Sequence, residues 1–137
     1  MPHSLSFDFL YHYDNLKAGI EIPATLKLGD QIVFCQAKVD PGAQVCLFKR
    51  DLGDALGLDI ERGESIDLDS LGGTIRAFGH SLTLVTLGIE VDSVVHFAAD
   101  YGLRRNLLGR EGWLQKVRLA IVDYDTALYL SPYDEKL

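Results

Sequence analysis

No apolar run in this sequence approaches the roughly 20 residues that a membrane-spanning helix needs. Cysteine is scarce: Cys35 and Cys46 are the only two, and both sit among apolar neighbours. The opening MPHSLSFDF has neither a basic region nor an apolar core after it, so a secretory leader is not expected. Without an oxidising context the two thiols read as buried and reduced, and the expected location is the cytoplasm. Basic charge is also in deficit. Thirteen Lys and Arg face twenty Asp and Glu, a net charge of −7, and the only adjacent basic pairs are Lys49-Arg50 and Arg104-Arg105. No basic stripe exists on which a nucleic acid would lie, so that class of partner is set aside. His3, His12, His80 and His96 lack the spacing of metal ligands, and neither a metal nor a cofactor is expected. His80-Ser81 has no G-x-S-x-G elbow around it, which removes the serine hydrolases of that kind. Ser/Gly-rich linkers, low-complexity tracts and internal repeats are likewise missing.

What remains is a chain of 137 residues, 47% hydrophobic and 24% charged, of a size and composition suited to one globular domain with a real core. Strand signals dominate it. GIEIPATLKL and QIVFCQAKV are β-branched-rich runs joined by Gly29-Asp30, a Gly-first pair that predicts a type II′ hairpin turn. SIDL and TIRAF flank DSLGG and predict a second hairpin with a glycine-rich tip. HSLTLVTLGIEV and DSVVHFA continue the pattern, and KVRLAIVDYDTALYLSP predicts two strands around a turn near Asp125-Thr126. Helix signals are few. FKRDLGDALGL predicts about two turns ended by Gly57, and GREGWLQKV predicts one or two more. Short strands at this spacing argue for a compact all-β barrel or sandwich.

Two stretches carry candidate chemistry. In AKVDPGAQVCLF an acid, Asp40, ends one apolar run and a second run resumes after Gly42-Ala43. Asp40-Pro41-Gly42-Ala43 suits a type II turn, with Pro second and Gly third, and Pro41 pushes Asp40 toward extended backbone. On spacing alone this is a hairpin turn whose Asp takes a local hydrogen bond. A surface turn, however, normally continues into polar residues, and this one does not. In RRNLLGREGWLQ the apolar step Leu107-Leu108 ends at Gly109, where a missing side chain allows close backbone approach. Asp51-Leu52-Gly53 and Asp100-Tyr101-Gly102 also spell D-x-G, but neither opens a second apolar run, and both are rejected as the site of a second catalytic acid. Trp113 is expected to pack in the core or at its edge.

Taken in order, AKVDPGA, DSLGGTIRAFGH, NLLGREGWL and ALYLSP resemble the motifs of the retropepsin-like aspartic proteases, the retroviral proteases and their bacterial relatives, across about residues 20–132. The resemblance implies a single-lobe closed β-barrel with one or two short helices and a flap hairpin, working as a homodimer. It implies that Asp40 is the catalytic aspartate and that Pro41, Gly42 and Ala43 complete its loop. Leu71, Gly72, Gly73, Thr74 and Ile75 become the substrate-covering flap, and Leu107, Leu108, Gly109 and Arg110 the segment bracing the loop from beneath. The implied activity is peptide-bond hydrolysis by a water held between two aspartates that share one proton. The implied partners are a second copy of the chain and a polypeptide substrate, with no nucleic acid and no membrane. The family places Thr or Ser after the aspartate, where this chain has Pro41, which supplies neither hydroxyl nor N–H. A degenerate, non-catalytic relative serving as a dimerisation or peptide-binding module is the alternative that this departure supports.

Overall fold

The computed structural model describes residues 1–134. In chain order its strands are β1 (Phe9–His12), β2 (Glu21–Leu28), β3 (Gln31–Val39), β4 (Leu47–Phe48), β5 (Glu64–Ser70), β6 (Gly73–Thr86), β7 (Ile89–Ala98), β8 (Asn106–Leu108), β9 (Val117–Val122) and β10 (Ala127–Pro132). One α-helix, α1 (Arg50–Ala55), and short 3-10 turns at Ile60–Arg62, Leu114–Lys116 and Asp123–Asp125 complete the description.

Alternation builds the larger sheet. In β2 every second side chain (Ile22, Ala24, Leu26) is buried, as a strand with one face on a core requires. Ala37 and Val39 of β3, Leu82 and Leu84 of β6, Val95 and Phe97 of β7 and Leu108 of β8 meet them in one cluster. Seven strands run in the order β2-β3-β8-β4-β7-β6-β5, and a further pairing of β2 with β6 (Ala24↔Thr86 to Lys27↔Thr83) closes β2 through β6 into a barrel. Closure removes the exposed edges that an open sheet would leave. Only β5 stands outside the ring, carried on β6 as an arm of a hairpin.

A second, three-stranded sheet, β1-β10-β9, covers one end of the core with Leu128 and Leu130. Tyr13 enters there. Its backbone N–H donates to Thr126 O at 3.1 Å, and its buried hydroxyl donates to the Asp123 carboxylate. Burial and that carboxylate push the phenol up to about 12. Trp113 is fully buried, and its indole N–H donates to Thr86 Oγ1 at 3.0 Å.

The Gly29-Asp30 hairpin has the expected form: Leu28 pairs with Gln31, Gly29 has φ +57, and Asp30 does not share the positive φ that a type I′ turn needs. The helix over Arg50–Ala55 ends at Leu56 and Gly57, the latter left-handed at φ +78. Three expectations are corrected. TIRAF and the run after it are one strand, β6, with Gly79 inside it. The following turn falls at Leu87-Gly88, both at positive φ, inside what reads as a continuous apolar run. GREGWLQKV makes only the 3-10 turn Leu114–Lys116, because Gly112 at φ +96 breaks any helix. The turn after Asp40 is not type II, as the site geometry explains.

Candidate active site

Strand β3 delivers Asp40 to the end of the barrel. Its parallel partner β8 lies alongside (Ala37↔Asn106, Lys38↔Leu107, Val39↔Leu108), and the Asp40 N–H donates to Leu108 O at 3.0 Å. The chain then turns. Ala43 N–H donates to Asp40 O at 3.0 Å, closing a four-residue turn, and Gly42 N–H donates to Asp40 Oδ1 at 3.1 Å. Gly42 has no positive φ, so the turn is not the type II that Pro-Gly suggests. An Asp at the first position explains why. Its carboxylate captures the third residue's N–H, which fixes the central peptide in the type I orientation. Pro41 occupies the second position, where no N–H is required. Asp40 itself is only half-buried, with Pro41 and Gly42 exposed beside it.

The segment after β8 supports this turn. Arg110 N–H donates to Ala43 O and Glu111 N–H to Gln44 O, each at 2.9 Å, and Val45 bridges Glu111 in parallel. Gly109 lies so close to the loop that a Cβ there would stand 2.1 Å from Val45 O and 2.8 Å from Ala43 O. Leu107 faces Leu47 of β4 across the same strand. Thus Leu107, Leu108, Gly109 and Arg110 all lie against the residues flanking Asp40, with Leu108 and Gly109 buried and Arg110 exposed. Cys46, in the middle of this packing, is a buried free thiol pushed up to about 11 by burial. Half-buried Cys35 is likewise unpaired.

The second hairpin, β5-β6, reaches over this region. Ser70 pairs with Gly73, so Leu71 and Gly72 form the tip, with Leu71 fully exposed and Gly73 at φ +123. Asp67 and Arg76 face each other across its strands at 2.9 Å, and each charge favours the other's ionised form: Asp67 is lowered, Arg76 raised. Thr74 and Ile75 begin β6 behind the tip. Two cavities adjoin the hairpin. One, of about 390 Å³, lies between Gly42, Ala43, Val45, Leu47 and Leu107 on the floor and Leu68 and Ile75 on the arm. The other, of about 460 Å³, runs from Gly72, Gly73, Thr74 and Ile75 to Asp100, Leu103 and Arg104. Gly42, Ala43, Leu107 and Ile75 of the expected loop, bracing segment and flap meet at the first cavity, and Gly72, Gly73, Thr74 and Ile75 at the second, while Asp40 lines neither. Asp51 and Asp100, the two rejected acids, lie on α1 and on the loop after β7.

Sequence reasoning missed several participants. Asn106 is buried, accepts the Lys49 N–H at 2.8 Å and donates to Gln36 O at 3.0 Å, so it ties β8 to both β3 and the start of α1. A lone Asn ahead of an apolar pair was the available signal. Leu68, which walls the first cavity together with the expected flap residue Ile75, was visible only as a hydrophobic residue of a hairpin. Among the described residues no helix is long and apolar enough to cross a membrane, and no group of three or more His, Cys, Asp or Glu is placed to hold a metal ion.

No protein-family model matches the sequence, and no curated protein does. Solved structures do match the fold. A retropepsin-like aspartic protease from Rickettsia conorii superposes with a TM-score of 0.67 at 20% identity, over 90% of this chain and 97% of that one. The protease of EIAV, solved with an inhibitor bound, superposes with a TM-score of 0.53 at 17% identity, over 71% of this chain and 86% of that one. The fold is retropepsin-like.

Proposed function

We propose that the chain is an aspartic endopeptidase, active as a homodimer in which each subunit supplies one Asp40. The observation that carries this reading is the placement of Asp40: in a retropepsin-like fold, it sits on a turn that the residue 108–111 segment holds by backbone hydrogen bonds. In the dimer the two carboxylates share one proton. The ionised one takes a proton from a water, whose oxygen attacks the scissile carbonyl carbon. The protonated one donates its hydrogen bond to the carbonyl oxygen, where negative charge develops. The carboxyl that took the water's proton then gives a proton to the amide nitrogen, the C–N bond breaks, and the products leave as an amine and a carboxylic acid. Asp40 Oδ1 already accepts Gly42 N–H, which leaves Oδ2 for the water and the partner. The flap over Leu71–Ile75 covers an extended peptide and excludes bulk water.

The three-stranded sheet supplies a surface for pairing. Leu10, Tyr129 and Ala120 form one cross-strand row on it, with Phe7 packed on Tyr129 at 5.9 Å between ring centroids, and Leu10 and Val122 stand exposed. Covering such apolar rows is the ordinary driving force for subunit association.

The test is cleavage of a peptide library between about pH 3 and 7, where a shared-proton dyad works. The purified protein is expected to cut, Asp40→Asn to abolish cutting, and pepstatin-like inhibitors to block it. Cleavage that survives Asp40→Asn would overturn the aspartic mechanism. A dimer that never cuts, and that gains no activity from Pro41→Thr, would fit a non-catalytic peptide-binding module instead.

A further inference from the structure

Arg104 is a guanidinium without an ion pair among the described residues, in a chain with a net charge of −7. It is exposed, and it lines two cavities at once. One is the cavity of about 460 Å³ under the hairpin tip. The other, of about 340 Å³, is a polar cleft on the far side of the loop, lined also by Lys49 and Arg105, which are unpaired in the same way. The carboxylates in these cavities are Asp100 in the first and Glu21 and Asp51 in the second, and none forms an ion pair with Arg104 or Arg105.

The loop that carries Arg104 is held at both ends. Before it, Arg50 donates to Ala99 O at 2.9 Å and lies 5.6 Å from the Tyr101 ring centroid, while the Tyr101 hydroxyl donates to Asp54 Oδ2 at 2.5 Å. The bidentate pair of Arg50 with Glu61 fixes the guanidinium that does this holding. After it, Asn106 is bonded to Lys49 and Gln36. These anchors stabilise the fold, and they also hold the loop on which Arg104 stands exposed. A loop that presents a charge gains pre-organisation, which lowers the entropy lost on binding. Arginine's planar fork matches a carboxylate with two parallel hydrogen bonds.

We propose that Arg104 is a specificity residue that recognises a carboxylate side chain, Glu or Asp, of the peptide lying under the flap, with Arg105 and Lys49 extending the preference to acidic residues beyond it. This rests on the endopeptidase reading for its substrate class, but the recognition itself is separable from catalysis. Arg104 lines the cavity under the hairpin tip and not the one beside the Asp40 turn, which places the recognised residue away from the scissile bond.

The experiment uses peptide pairs that differ by Glu against Gln at each scanned position, in two assays. One measures kcat/KM with the wild-type protein. The other measures binding to Asp40→Asn, which needs no turnover. Glu is expected to be preferred about 10-fold at one position, in KM more than in kcat. Arg104→Gln is expected to abolish the preference while leaving the Gln peptide unchanged, Arg104→Lys to keep part of it, and Arg104→Glu to reverse it. Cleavage without any Glu preference would overturn this inference and leave the aspartic reading standing. Glu-selective binding that Arg104→Gln removes, in a protein that never cuts, would support the inference and overturn that reading. Equal binding of Glu and Gln peptides, with or without cleavage, would overturn the inference.

Discussion

The bracing of the Asp40 turn is open to direct attack at Gly109. Replacing it with alanine places a methyl 2.1 Å from Val45 O, 2.6 Å from Val45 C and 2.8 Å from Ala43 O. All three are backbone atoms, so no rotamer change relieves the clash. An ordinary carbon–oxygen contact lies above 3.0 Å, and the loop or the 108–111 segment must therefore move by about 1 Å. That movement breaks or stretches the bonds from Arg110 N–H to Ala43 O and from Glu111 N–H to Gln44 O. Two backbone bonds at about 1 kcal/mol each, with overpacking of about 1–3 kcal/mol, give a destabilisation of roughly 2–5 kcal/mol. Urea unfolding monitored by the fluorescence of Trp113 measures it. In the peptide assay, a carboxylate displaced by about 1 Å is expected to lose roughly 100-fold in rate. A Gly109→Ala protein within about 0.5 kcal/mol of wild type, cutting at an unchanged rate, would refute the claim that this glycine sets the loop's position.

Two further outcomes follow from the core. Trp113→Phe removes the donor to the buried Thr86 hydroxyl and is expected to cost about 1–3 kcal/mol in urea unfolding, recovered in part when Thr86→Val is added. The half-buried His96 imidazole, whose Nδ1 has no hydrogen-bond partner among the described residues, is lowered from 6.5, first by burial and also by His80, against the opposing pull of Glu111 and Glu64. The unfolded chain then binds a proton that the folded one refuses, so stability is expected to rise with pH from the lowered value through 6.5 and to level off above it. His96→Gln should flatten that slope below and through about pH 6.5, and an unchanged slope would show that His96 does not cause it.

Local features were legible in the sequence because their causes are local. The Gly29-Asp30 turn needs only a positive φ at its first residue, and the helix after Lys49 needs only its spacing and Gly57. Strand β1 was not visible, because FLYH gains its structure by pairing with Leu130 to Ala127 at the other end of the chain. The length of β6 was hidden by Gly79, which reads as a break. In the structure it gives room to His96, whose Nε2 would lie 3.0 Å from a Cβ at that position. Gly109 does approach neighbouring backbone closely, as its missing side chain suggests, while the one or two helical turns expected over GREGWLQKV come to the 3-10 turn Leu114–Lys116. The N–H groups of Arg110 and Glu111 go instead to the loop they support. Arg104 gave no signal beyond its neighbour Arg105, since a cavity is made by elements far apart in sequence.

Pro41 takes a different meaning from this geometry. In a type II turn its neighbour Gly42 would turn its N–H away from the carboxylate, and Asp40 would stand without a local partner. In the turn that forms, the two donors that matter are Gly42 and Ala43, and both are used. The position that proline fills is the one whose N–H has no acceptor in the turn, and its fixed φ of about −65° suits that position. Asp40, pushed toward extended backbone by the proline, still reaches Leu108 O with its own N–H. Within one subunit, therefore, proline breaks no backbone bond and stiffens the loop that carries the carboxylate. The hydroxyl that Thr or Ser would bring has no acceptor to serve in the turn itself. In the proposed homodimer its loss would bear on the contact between subunits, which places the effect of Pro41 in the strength of that dimer rather than in the shape of the loop.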